Sequence, residues 1–184
     1  VKRFIDIVAS LAGLCAFAVP ILVLIVVVRA TSPGPGILRQ SRVGRNAVPF
    51  VCFKLRTMYI DTQMAATHEV SRSQVTPIGA FLRRYKLDEL PQLWNVLRGD
   101  MSLVGPRPCL PVQHELIQAR SEQRVFDVRP GITGLAQVQG VDMSDPERLA
   151  HLDAEGIAQH SVAGDLKLIW MTISGRGRGD RTAS

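Results

Sequence analysis

The segment YKLDELPQLWN, residues 85–95, sets two carboxylates side by side, Asp88 and Glu89, directly behind the basic residues Arg83, Arg84 and Lys86. Other cations stand in short turn-forming contexts: Lys54 and Arg56 in FKLRTM, Arg107 in VGPRP and Arg129 in VRPG. Arg107 lies between two prolines and Arg129 precedes one, in rigid backbone that fixes the direction of a guanidinium. A planar guanidinium matches the oxygens of a phosphate, and several converging on one site would hold a diphosphate. A carboxylate pair in their midst has two chemical uses. It can hold a divalent cation, or one member, kept ionised by neighbouring positive charge, can attack phosphorus as a nucleophile. Taken singly, each cation is an ordinary solvated charge and Asp88 an ordinary helix N-cap.

The local pattern says what would position these groups. Thr76-Pro77 is a helix-start signal, a capping side chain with proline at the first helical position, and it leads into IGAFLRRYK. A second helix is expected from Asp88 to a stop at Gly99. Leu90, Leu93, Trp94 and Leu97 recur at helical spacing on one face, and Pro91 is tolerated in the first turn. Asp88 and Glu89 would then sit at a helix N-terminus, where free N–H groups and the dipole favour negative charge. Upstream, strand-like runs at 37–42 and 49–54, separated by Gly-Arg-Asn, read as a β-hairpin. The polar, aperiodic stretch 61–74 reads as a loop. DLKLIWMTI, 165–173, reads either as an interfacial helix with Trp170 at headgroup level or as an ordinary core-facing helix.

A chain of 184 residues suits one compact domain with appendages. Its net charge of +6 implies an anionic partner: nucleic acid, an acidic membrane face or a phosphorylated substrate. An aromatic content of 5% leaves few stacking platforms for single strands, so no nucleic acid is expected. Cys15, Cys52 and Cys109 are odd in number and widely spaced, which argues for neither a disulfide framework nor a zinc site. His68, His114, His151 and His160 stand in polar contexts that assign them no role.

Residues 7–28 carry no charge, and ~20 apolar residues are what a helix needs to cover the hydrocarbon core. Pro20 interrupts the stretch, and both flanks are basic, Lys2 and Arg3 before and Arg29 after, which favours the cytoplasmic side for both. The expected solution is a re-entrant hairpin that turns at Pro20, with arms of ~12 residues or roughly 18 Å. The alternative is a bitopic span with a proline kink. A cleaved signal peptide is disfavoured by the length of the stretch and the lack of a cleavage site. The chain thus divides into a membrane segment at 1–30, a catalytic domain at 31–174 that opens on the TSPGPG hinge, and a disordered basic tail at 175–184. The fold class expected is α+β, mainly helical, lying on the membrane.

The string KLDELPQLWNVLRGDMSLVGPRP, with FKLRTM upstream and VRPGITGLAQVQG downstream, resembles the bacterial sugar transferases, the small monotopic polyprenyl-phosphate phosphoglycosyl transferases. The resemblance runs from the apolar segment to DLKLIW. It implies transfer of a sugar 1-phosphate from a nucleotide sugar to polyprenyl phosphate at the cytoplasmic face of the bacterial inner membrane, with release of the nucleoside monophosphate. That would be the first membrane step of a surface glycan or glycoconjugate. It also implies Asp88 as the nucleophile of a covalent phospho-sugar intermediate, with Glu89 helping to place Mg2+ or the reacting phosphate. Lys54, Arg83, Arg107 and Arg129 match basic positions expected to bind substrate phosphate. Membrane phospholipids are the third partner, and a homo-oligomer stays open. Four departures touch sugar specificity and the membrane break: Val19 precedes Pro20 where serine is usual, Leu135 replaces an aromatic, Val141 and Asp142 stand where many members carry arginine, and Glu155 and Gly156 replace a tyrosine pair. The rival reading is a membrane-anchored basic module that binds nucleic acid or acidic headgroups without chemistry.

Overall fold

The computed structural model describes residues 1–60 and 74–175. The loop expected at 61–74 and the tail at 175–184 therefore lie outside the described residues, apart from Gln74 and Gly175. What is described is mainly helical, with two small two-stranded sheets.

The hairpin forms one residue longer at each strand than its sequence pattern, as β1 (Ile37–Val43) antiparallel to β2 (Pro49–Leu55). Helix α2 (Pro77–Arg84) begins as its signal predicts: the Thr76 hydroxyl accepts from the Gly79 N–H at 2.9 Å, with Pro77 in the first turn. A Cβ on Gly79 would stand 2.0 Å from the Thr57 carbonyl oxygen, so only glycine lets α2 approach the end of β2 this closely.

The next helix starts later than expected. Lys86 takes left-handed backbone with φ 56°, Leu87–Glu89 form one 3-10 turn, and α3 runs Gln92–Arg98 before Gly99 caps it at φ 102°. The bonds ahead of α3 span three residues, from Glu89 N–H to the Lys86 carbonyl and from Leu90 N–H to that of Leu87. Pro91 has no N–H with which to continue them, so the α-helical ladder begins only beyond it. The buried face differs as well. Gln92, Asn95 and Val96 are buried, whereas Trp94 is about half exposed. The reason is polar: the Asn95 carboxamide donates to the Val51 carbonyl (2.7 Å) and accepts from the Phe53 N–H (3.0 Å), stitching α3 to the edge of β2.

Strand β3 (Ser102–Val104) pairs in parallel with β4 (Gly131–Thr133). Gly131 and Gly105 touch backbone to backbone, and a Cβ on Gly131 would fall 2.1 Å from the Gly105 nitrogen. Helices α4 (His114–Glu122), α5 (Leu135–Val138) and α6 (Pro146–Ala158) complete the layer behind them, around Val43, Cys109, Leu116 and Leu149. A second cluster of Cys52, Val96 and Met101 joins β2 to α3.

Helix α1 (Lys2–Thr31) is one helix with Pro20 inside it, long and apolar enough to cross a membrane. The two arms joined by a turn that the sequence predicted are not what is seen. Proline removes a single donor from the ladder, a loss that an apolar helix absorbs without unwinding. Both ends of α1 nevertheless rest on the same globule. At the start, Asp6 is buried and accepts from the Ser102 hydroxyl (2.9 Å) and the Leu103 N–H (3.0 Å), while Arg3 donates to the carbonyls of Val96 (2.6 Å) and Leu97 (2.9 Å). Toward the far end, Val28 is buried with Leu55 and Leu82. Between them, Phe17, Val19, Leu22 and Val23 are exposed.

Helix α7 (Val162–Ile173) fully buries none of its residues, but one face meets the globule: Leu168, Ile169 and Met171 are half-buried, and the Thr172 hydroxyl pairs with that of Thr133 on β4. Leu166, Trp170 and Ile173 present an exposed stripe, and Lys2 ties α1 to the start of α7 through Asp165.

Candidate active site

Three separate elements deliver the charged groups to one place. The 3-10 turn ahead of α3 carries Asp88 and Glu89, β2 carries Lys54, and the turn after β3 carries Arg107. Glu89 Oε1 receives Arg107 Nη2 at 2.8 Å and Lys54 Nζ at 3.3 Å, with all three side chains under 15% exposed. Arg83, on α2, donates from Nε to Thr57 Oγ1 at 3.0 Å and acts electrostatically on Asp88 together with Lys54 and Arg107.

Asp88 is buried, and its carboxyl is raised to about 6. Burial is the largest cause and the neighbouring Glu89 charge the second; Lys54, Arg107 and Arg83 pull in the other direction without overcoming them. The sequence predicts a carboxylate held ionised by a helix start and by Arg83. The helix start is displaced to Gln92, and desolvation outweighs the cations. The chemistry gains from this. A carboxylate of raised basicity is a better nucleophile, and with a pKa near 6 it is still mostly ionised at neutral pH. Two adjacent acids thus have different environments, Glu89 neutralised by two cations and Asp88 desolvated beside them.

The direction of Arg107 is set by more than its prolines. The Arg107 carbonyl accepts from Arg120 Nη1 at 2.8 Å, and Arg120 is itself held by the Asp153 carboxylate at 2.6 and 3.0 Å, a fully buried ion pair between α4 and α6. The next carbonyl, of Pro108, accepts from Arg42 Nη1 at 2.9 Å, and Gln40 holds the rest of that guanidinium. Arg42, Cys52, Lys54, Gln92, Arg107 and Pro108 line a small recess that opens to solvent.

Of the residues singled out by sequence, Asp88, Glu89, Lys54, Arg83 and Arg107 come together. Arg129 does not join them: its Nε donates to the Gly99 carbonyl at 2.8 Å, at the opposite end of α3 from the acid pair. Sequence reasoning passed over Arg42, Gln92, Asn95, Arg120 and Asp153. Nothing in their neighbourhoods marks Arg42 or Arg120 as other than surface arginines, and Gln92 and Asn95 fall outside the apolar stripe of α3. Asp6 could have been found, as an acid set just before an uncharged stretch of twenty-two residues.

Among the described residues no three His, Cys, Asp or Glu side chains gather as a metal site. The pair Asp88–Glu89 still fits magnesium, which takes one or two carboxylates and completes its shell with water and substrate phosphate.

The family model for bacterial sugar transferases matches residues 1–177. The chain is 39% identical over 182 residues to a UDP-glucose:undecaprenyl-phosphate glucose-1-phosphate transferase of Caulobacter vibrioides, covering 94% of this chain and 68% of that protein. It is 42% identical over 186 residues to an undecaprenyl-phosphate glucose phosphotransferase of Komagataeibacter xylinus, covering 94% of this chain and 35% of the relative. With a putative undecaprenyl-phosphate N-acetylgalactosaminyl 1-phosphate transferase of Bacillus subtilis the identity is 42% over 161 residues, covering 86% and 81%. The chain thus spans well under half the length of some relatives and most of others. With the family model matched over nearly its whole length and the acid pair, Lys54 and Arg107 gathered in one buried cluster, this chain belongs to the bacterial sugar transferase family.

Proposed function

We propose that this chain transfers a sugar 1-phosphate from a nucleotide sugar to polyprenyl phosphate, by way of a covalent intermediate on Asp88. The observation that carries the reading is the buried, basic Asp88 carboxylate beside a Glu89 held by Lys54 and Arg107. A desolvated carboxylate next to guanidinium and ammonium groups is suited to displacement at phosphorus, where charge builds on the non-bridging oxygens. The names of the relatives point to a uridine diphosphate sugar as donor and to undecaprenyl phosphate as acceptor.

In the first step an Asp88 carboxylate oxygen attacks the phosphorus attached to the sugar. The bond from that phosphorus to the bridging oxygen breaks, its electron pair leaves with the nucleoside monophosphate, and an aspartyl phospho-sugar remains. In the second step an oxygen of the lipid phosphate attacks the same phosphorus and displaces the Asp88 carboxylate, giving a polyprenyl-diphosphate sugar. Lys54 and Arg107 hold phosphate oxygens in both steps, and Arg83 balances charge at Asp88. Glu89 would hold Mg2+ together with substrate phosphate, and bound there the ion would neutralise charge on the reacting phosphoryl group. One site serves two substrates in turn, so the kinetics are ping-pong.

The same reading places the protein on the cytoplasmic face of the bacterial inner membrane as a monotopic enzyme. Asp6 and Val28, near opposite ends of α1, are both buried against one globule, which supports both ends lying on one side of the bilayer. The exposed middle of α1 would enter the hydrocarbon, and the α7 stripe would lie in the interface.

The test is release of nucleoside monophosphate from a panel of nucleotide sugars, with polyprenyl phosphate present. Release with one or more donors is expected. None from a folded protein would contradict the reading and leave the non-catalytic basic module.

A further inference from the structure

Gln92 is 3% exposed, yet its carboxamide forms no hydrogen bond among the described residues. It borders the recess that Lys54 and Arg107 also line. Its neighbour one turn on, Asn95, shows what a structural carboxamide looks like here, with both ends satisfied by the β2 backbone. The Gln92 amide is not among the side-chain polar groups sealed from solvent without a partner, so it reaches the recess, where a bound group can replace water as its partner. Lys54 and Arg107 line the same recess, which defines that group as anionic.

We infer that Gln92 contacts substrate, its side-chain amide donating to a phosphate oxygen lodged between Lys54 and Arg107. The inference rests on the transfer reading above. The neutral amide does what a third cation would not: it adds a directed donor to the phosphate and places no further charge beside Asp88. Two phosphate sources visit the site, the diphosphate of the nucleotide sugar and the monoester of the lipid, and the recess takes either by the same contact.

The experiment compares parent, Gln92→Leu and Gln92→Glu, with kcat/KM measured separately for nucleotide sugar and for polyprenyl phosphate, and with inorganic pyrophosphate as competitive probe. Leucine keeps the bulk and removes the donor. Glutamate keeps the shape and sets a carboxylate against the incoming anion, so it remains informative if the leucine variant fails to fold. The expected result is a loss of about 10-fold or more in kcat/KM, the scale of one hydrogen bond to a charged group, larger for glutamate than for leucine, with weaker inhibition by pyrophosphate. A loss confined to the nucleotide-sugar arm assigns the contact to the diphosphate; one confined to the lipid arm assigns it to the lipid phosphate. Folded variants with parental kcat/KM in both arms and parental pyrophosphate inhibition would overturn the inference, leaving the carboxamide facing water alone. A parent that releases no monophosphate would instead overturn the transfer reading.

Discussion

Arg120 donates from Nη1 to the carbonyl oxygen of Arg107 at 2.8 Å, so a guanidinium buried between α4 and α6 sets the turn from which another guanidinium reaches Glu89. If Arg120 acts through Arg107, its loss should not add to the loss of Arg107. Arg107→Ala, Arg120→Lys and the double variant form a cycle read in kcat/KM, at a temperature where all are folded. The double variant should be no slower than Arg107→Ala alone. Multiplicative losses would make Arg120 a general structural residue. Asp153→Asn strips the buried Arg120 of its charge partner and should destabilise by about 3–5 kcal/mol, measurable by chemical denaturation.

Arg107→Lys keeps the charge and discards the planar fork. Lysine cannot engage Glu89 and a phosphate with the same geometry, and kcat/KM should fall by about 10-fold, the worth of one charge-assisted hydrogen bond. Parental activity across all donor concentrations would reduce Arg107 to a point charge.

The Asp88 carboxyl, raised to about 6, predicts two opposite pH trends. Activity needs the ionised form, so the first half-reaction should fall as pH drops below about 6, approaching tenfold per unit. Stability runs the other way. The folded pKa lies above the unfolded value of about 3.9, so folding favours the protonated acid, and stability from this group is lost as pH rises from about 4 through about 6. Asp88→Asn should therefore be more stable than the parent at pH 8, by on the order of 2–3 kcal/mol, with the difference gone below pH 4. Equal stability at both pH values would show that Asp88 is not desolvated.

Burial of both Asp6 and Val28 on one globule predicts that single cysteines near residues 2 and 30, in a variant lacking Cys15, Cys52 and Cys109, are both shielded from an impermeant reagent in intact cells. Labelling of either from outside would mean that α1 crosses the membrane. Asp6→Ala removes the acceptor for Ser102 and Leu103 and should cost about 1–3 kcal/mol.

The parts of the fold legible in the sequence are those governed by local chemistry. Thr76-Pro77 declared the start of α2, Gly99 the end of α3, and the runs on either side of Gly44 a hairpin, because caps and turns depend on residues within a few positions. The acid pair and three of its cations, Lys54, Arg83 and Arg107, were legible from residue type and setting. What was not legible depends on distant partners. Asn95 is polar in an apolar-looking helix because its partners are backbone groups more than forty residues earlier, and Arg120 looks like a surface arginine until α6 brings Asp153 to it. Arg129 misled for the same reason, since only the packing of β4 directs it to Gly99. The raised carboxyl of Asp88 is a property of burial, which no spacing of charges along the chain discloses.

The covalent role of Asp88 is tested most directly by trapping. Incubated with a turned-over nucleotide sugar and no lipid acceptor, the parent should release about one equivalent of nucleoside monophosphate per site and carry a phospho-sugar mass on the peptide containing Asp88. Asp88→Asn should fold, release none and carry no adduct. An adduct mapped to Glu89, or turnover by folded Asp88→Asn, would contradict the account.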